Sequence, residues 1–179
     1  MFTRLMTRLI RNMERRYSYD AAYMHEILDT SPRAMVKLLL AQGMSLHHEG
    51  LPQPAWHAAR IVAARHEDCG PCTQLVVDFA LAAGVERDVL RAVVARDYQR
   101  LPADALLGAR FAEAVLANAD TGPLRDEVMQ RFGRQGVVSL AYAIAFTRVY
   151  PTLKRAMGYA HTCQQVVVDG ESVTAARSA

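Results

Sequence analysis

The chain predicts an all-α protein. Apolar residues recur at helical spacing through most of its 179 positions, prolines and glycines fall where helices start and stop, and no stretch shows an alternating strand–helix pattern. Residues 2–16 set Phe2, Leu5, Met6, Leu9, Ile10 and Met13 on one face and Arg4, Arg8, Arg11 and Arg15 on the other. That basic amphipathic arm suits packing on its own domain or on a neighbouring subunit. Contact with a membrane surface is the weaker reading. Ser31-Pro32 opens a helix over 34–44, with a Ser cap and Pro at its first position. The loop 49–54 feeds a helix over 55–65, which delivers the chain to Cys69-Gly70-Pro71-Cys72. Residues 73–83 continue as helix and stop at Gly84, which suits a left-handed cap.

Helices follow over 86–96 and 102–118, then a turn at Asp120-Thr121-Gly122-Pro123. A helix over 124–132 ends at Gly133. A long one over 137–157 is kinked or split by Pro151. The tail holds Val166-Val167-Val168 and Asp169-Gly170 before dissolving into small polar residues. These boundaries give an N-terminal helical arm (1–50), a central helical domain (51–163) and a short tail (164–179).

Composition narrows the function classes. A 51% hydrophobic chain of this length supports one compact domain or one domain plus an arm, and a net charge of +3 is too small to argue for nucleic acid. Three cysteines make no secreted disulfide framework. Arginines break the N-terminal apolar residues, leaving no signal-type core, and the apolar stretch 136–147 is too short to span a bilayer. A soluble cytoplasmic protein is the expectation.

The CGPC tetrapeptide carries most of the chemistry. Cysteines at i and i+3 can close a small disulfide ring, or share one proton when reduced. Proline suits the first helical turn, so the pair is expected at an exposed helix start, where free N–H groups favour negative sulfur. Zinc would need four soft ligands. Cys163 is the only further cysteine, and His57 and His66 form no H-x3–5-H pair. No metal or cofactor is therefore expected. Two inert packed thiols are the plain alternative. A thioredoxin fold needs strands around CGPC, whereas the alanine-rich residues 56–65 have helical spacing. His25, His47, His48 and Cys163 read as solvated histidines and a lone thiol.

From Leu51 to about Tyr159 the chain resembles the AhpD-like branch of the carboxymuconolactone decarboxylase superfamily. The features occur in order: a helix running into CxxC, a dithiol helix ending in Ala-Gly-Val, the connector Glu86-Arg87-Asp88-Val89-Leu90, the helix opened by Leu101-Pro102-Ala103-Asp104, and Phe132-Gly133 leading to an apolar helix ending Leu153-Lys154-Arg155-Ala156-Met157-Gly158. The resemblance implies an all-helical bundle, a homo-oligomer and thiol-dependent alkyl hydroperoxide reduction. It makes Cys72 the sulfur that becomes sulfenic acid, and Cys69 the proton donor and resolving thiol. The family histidine four residues past the second cysteine is replaced by Val76, and the family glutamate twelve before the first by His57. His57, His66 and Glu67 are then the local acid–base candidates beside Cys69 and Cys72.

The expectation is a thiol–disulfide oxidoreductase that reduces a hydroperoxide and is restored by an external dithiol protein. A helical oligomeric scaffold that keeps the dithiol without turnover is the alternative from another class. Lactone decarboxylation is a third reading, against which CxxC itself argues.

Overall fold

A computed structural model of the chain describes residues 2–159 and 165–176. Cys163 lies outside them. The described residues form α1 (Phe2–Tyr17), α2 (Ala22–Thr30), α3 (Pro32–Ser45), α4 (Gln53–His66), α5 (Gly70–Ala82), α6 (Arg87–Ala95), a 3-10 turn (Tyr98–Arg100), α7 (Ala103–Leu116), α8 (Gly122–Thr147), α9 (Val149–Ala156) and a two-stranded hairpin, β1 (Gln165–Val168) and β2 (Glu171–Thr174). The protein is mostly helical.

α4 is the axis of the larger core. Every residue from Ala55 to Arg65 is buried, because α5, α6, α7 and α8 surround it. Its alanines make that crowding possible. Gly108 of α7 lies so close that a Cβ there would stand 2.3 Å from the Ala55 carbonyl oxygen. Ile61 and Val62 are fully buried, and each such side chain stabilises the fold by about 1.5–3 kcal/mol. Of the two buried arginines of α4, Arg65 is met by acceptors: it donates to Val93 O at 2.6 Å, to the Tyr98 hydroxyl at 3.0 Å and to Glu113 at 2.5 Å. A buried charge held this way pins α4 to α6 and α7.

Local signals explain the ends of the elements. Ser31 Oγ accepts from Ala34 N at 3.3 Å, with Pro32 in the first turn of α3. α8 is broken at Gly133 (φ 71°, ψ −174°), a conformation that strains any residue with a Cβ. The chain bends again at Arg148, and Pro151 sits in the first turn of α9, where its missing N–H costs nothing. The helical stretch Gly122–Ala156 holds an 18-residue window of mean hydropathy 1.2, long and apolar enough by composition to cross a membrane. It exceeds the expected 136–147 because the helical stretch continues past Thr147 into α9, which adds Val149 and Leu153. Within the fold its Leu140, Ala143 and Ile144 face the core.

Two elements depart from the sequence reading. The segment between α1 and α3 is a helix: Asp20 Oδ1 accepts from Ala22 N at 2.9 Å to start α2, whose Tyr23, Met24 and Leu28 are buried. The tail does not simply dissolve. Asp169 and Gly170 (φ 52° and 81°) make a tight turn that pairs Val166 with Val173, and Val166 and Val168 are fully buried beside α5 and α6. Gln74 of α5 fixes the hairpin, donating to Val167 O at 2.9 Å and accepting from Val167 N at 2.6 Å.

Residues 6–38 build a second apolar cluster around Tyr23, Leu28 and Met35. Leu75 of α5 and Val149, Leu153 and Met157 of α9 pack against it. The start of α5 is therefore enclosed between two cores.

Candidate active site

The dithiol sits at the entrance to α5. Asp68 takes a positive φ of 50°, which turns the chain out of α4, and Cys69 is extended (φ −114°, ψ 92°) as the residue that precedes the helix. Gly70 and Pro71 form the first turn. The Cys69 carbonyl accepts from Thr73 N at 2.9 Å and from Thr73 Oγ1 at 3.0 Å. Both thiols are free. The expectation of an exposed helix start does not hold: Cys69 is 2% exposed and Cys72 5%. The connector into α2 and the helix α9, both distant in sequence, cover the turn.

The cover brings chemistry with it. The Tyr19 hydroxyl lies 3.9 Å from Cys72 Sγ. Burial raises the Tyr19 pKa far above that of a free phenol, so the hydroxyl stays protonated. Lys154 of α9, 1% exposed, holds its ammonium 4.7 Å over the Tyr19 ring and 5.5 Å over Tyr23, and donates to Asp20 O at 3.3 Å.

The two sulfurs are electrostatically unequal. The Cys72 thiol, as hydrogen-bond donor, brings Cys69 down to about 7 against the opposing effect of burial. The Cys72 backbone N–H and the charges of Lys154 and Arg155 add to this. The same hydrogen bond, and then burial, push Cys72 up. Of the two, Cys69 is therefore the sulfur that gives up its proton first. Access is divided the other way: Cys72 lines a cavity of about 60 Å3 that also meets Tyr19, Arg60, Phe79 and Tyr150.

The acid–base candidates from the sequence sit elsewhere. Glu67 is buried and engaged: Oε1 accepts from Arg148 Nε at 2.5 Å, Oε2 from Arg155 Nη1 at 3.3 Å, and its carbonyl from Arg155 Nη2. It ties the α4–α5 turn to α8 and α9. His57 is buried beside Trp56, ring centroids 4.6 Å apart, and neither of its nitrogens has a partner. Burial lowers its pKa to about 3, with help from Arg60 and His48, so it is neutral. His66 is half-buried. Among the described residues no hydrogen bond or ion pair joins His57, His66 or Glu67 to either sulfur.

The other histidines find local partners: His25 Nε2 lies 3.2 Å from Glu14, and His48 Nδ1 lies 2.7 Å from Leu46 O. Among the described residues no three His, Cys, Asp or Glu side chains gather as a metal site. Tyr19, Tyr23, Arg60, Tyr150 and Lys154 were not legible as site residues. The one signal was a long cation, Arg60 or Lys154, within an otherwise apolar helical segment.

Comparison with family models, with curated proteins and with solved structures gives no significant match.

Proposed function

We propose that the Cys69–Cys72 pair is the working group of a thiol-dependent peroxidase, an AhpD-like oxidoreductase that reduces an organic hydroperoxide. The observation that carries the reading is the junction of a free CxxC dithiol, charged at Cys69, with a cavity that Cys72 faces. The Cys69 thiolate takes the Cys72 proton as Cys72 Sγ attacks the terminal peroxide oxygen. The O–O bond breaks, Cys72 becomes a sulfenic acid, and the departing alkoxide collects a proton from the Cys69 thiol to leave as alcohol. The neutral Tyr19 hydroxyl donates a hydrogen bond at that oxygen. The Cys69 thiolate then attacks the Cys72 sulfur, expelling hydroxide, which a solvent proton converts to water. The disulfide carries the two electrons' worth of oxidation until an external dithiol protein reduces it by exchange. A reducing compartment, the cytoplasm, suits a resting dithiol.

The division of labour is tested with single serine variants and dimedone. Cys69→Ser should still form a trappable sulfenic acid at Cys72 but lose turnover. Cys72→Ser should form none. Dimedone label on Cys69 in the wild-type protein would assign the attack to the other sulfur.

The near-complete burial of both sulfurs favours one second reading, a helical oligomeric scaffold whose dithiol never turns over. Iodoacetamide separates the two. A thiol whose alkylation rises through about pH 7 is a redox group, and a pair inert throughout the neutral range belongs to the scaffold.

A further inference from the structure

Arg60 is buried without an acid. It projects from the middle of α4, 4% exposed, and its guanidinium meets ring faces: Trp56 at 4.4 Å and Phe79 at 5.9 Å. Its Nε and Nη1 have no hydrogen-bond partner, and no ion pair reaches it among the described residues. Arg65, one turn along the same helix, has Glu113 and two carbonyls. A guanidinium carries five fixed donors and keeps its charge, so burying it without an acceptor costs several kcal/mol. Burial lowers even its pKa, to about 10.

Arg60 forms part of the wall of the cavity that holds Cys72. The wall also carries Thr147, whose Oγ1 has no partner. The cavity of about 60 Å3 has room for a carboxylate-sized head, since a water needs ~10–15 Å3. Beyond Met13, Met24, Gln42 and Phe79 the space continues as a groove of about 260 Å3 under α1, otherwise lined by apolar side chains and Tyr17. Its methionines are pliable, which suits a flexible chain.

We propose that this site binds an organic anion with an unbranched apolar tail, its carboxylate paired with Arg60 and its tail in the groove under α1. It rests on the reading of the Cys72 cavity as a ligand site, and places the head of the anion beside that sulfur. The anion supplies the acceptors that Arg60 lacks. The tail displaces water from the methionine-lined groove. Neither half of the site alone matches both features.

Trp56 is the only tryptophan of the chain and stacks on Arg60, so its emission reports the site. The reduced full-length protein is titrated with decanoate, 1-decanol and acetate at neutral pH. Decanoate should change the emission saturably, and bind at least roughly tenfold tighter than decanol and acetate, the scale of one charge-assisted pair. Arg60→Gln should erase the advantage over decanol, and circular dichroism checks that this variant folds. Where it does not fold, the ligand comparison in the wild-type protein decides alone.

Equal binding of decanoate and decanol overturns the proposal, as does the absence of any saturable decanoate signal. So does an Arg60→Gln protein that folds and binds decanoate like the wild type. If instead a neighbouring subunit supplies an acid to Arg60, decanoate will not bind, and the proposal falls. Because binding is read without turnover, an inert dithiol would leave it standing. A reactive dithiol with no decanoate binding would remove the anion site alone.

Discussion

The Tyr19 hydroxyl stands 3.9 Å from Cys72 Sγ, although 53 positions separate the two residues in sequence. The contact exists because the connector between α1 and α2 folds back over the first turn of α5. Its hydroxyl stays neutral, so it can donate a hydrogen bond to sulfur or to an oxygen leaving that sulfur. Tyr19→Phe keeps the ring under Lys154 and removes only the donor. Peroxide turnover should fall on the order of 10²-fold, with unfolding temperature and KM little changed. A wild-type rate in Tyr19→Phe would exclude the hydroxyl from the reaction.

Lys154 supplies positive charge to a dithiol that Glu67, His57 and His66 do not touch. Lys154→Met preserves the length of the side chain and removes that charge. The midpoint of Cys69 alkylation should then rise only modestly above about 7, because the Cys72 hydrogen bond that lowers it most remains. Stability should be unchanged or improved, because a buried ammonium without a carboxylate is costly to desolvate. Rates of iodoacetamide labelling across pH 5.5 to 9.5, a range of about four units around the free thiol value, make the comparison.

His57 links stability to acid. Its folded pKa of about 3 lies below the ordinary 6.5, so below pH 6.5 the unfolded chain binds a proton that the folded chain refuses. The stabilisation is complete above roughly pH 6.5 and is lost as pH falls toward 3, at about 1.4 kcal/mol per pH unit. In His57→Gln, which cannot take up that proton, this component of the slope should vanish. Urea midpoints at pH 7, 5.5 and 4 measure it (about three steps through the window). Equal slopes in the two proteins would count against a neutral buried His57.

Gly108 is a packing requirement. A Cβ there would stand 2.3 Å from the Ala55 carbonyl, against backbone that cannot swing aside, so α4 and α7 must separate. Gly108→Ala should cost about 1–3 kcal/mol despite the higher helix propensity of alanine. Gly43, where a Cβ would meet nothing within 4 Å, is the control, and Gly43→Ala should be neutral or stabilising. Chemical denaturation of both variants checks the contrast.

Assembly is open to a direct measurement. Leu40 (61% exposed) and Met44 of α3, with Val138 and Tyr142 of α8, place large apolar side chains in water on two adjoining helices. A homo-oligomer would cover them, and light scattering should give a dimer or trimer. A species of 19.8 kDa at micromolar concentration would show that a single chain tolerates the surface.

Helix positions were set locally, and so could be read from the chain alone. Ser31-Pro32 starts a helix because an oxygen acceptor and a fixed φ act within one turn. Gly133 ends one because its backbone angle suits no other residue. The cysteines fall at a helix start because Pro71 suits the first turn. What surrounds the dithiol was not local. Whether CGPC is open or covered depends on where Tyr19 and Lys154 land, and spacing along α5 says nothing of helices that arrive from 50 residues before it or 80 after it. The hairpin failed for a related reason: Val166 and Val168 become a buried strand face only once α5 and α6 offer apolar surface and Gln74 offers backbone partners. Charge was the least legible of all. Arg60 and Arg65 are the same residue type on the same helix, both buried. Only the tertiary structure gives one of them Glu113 and leaves the other against aromatic rings without an acid, because the acceptors come from helices whose arrival the local sequence does not encode.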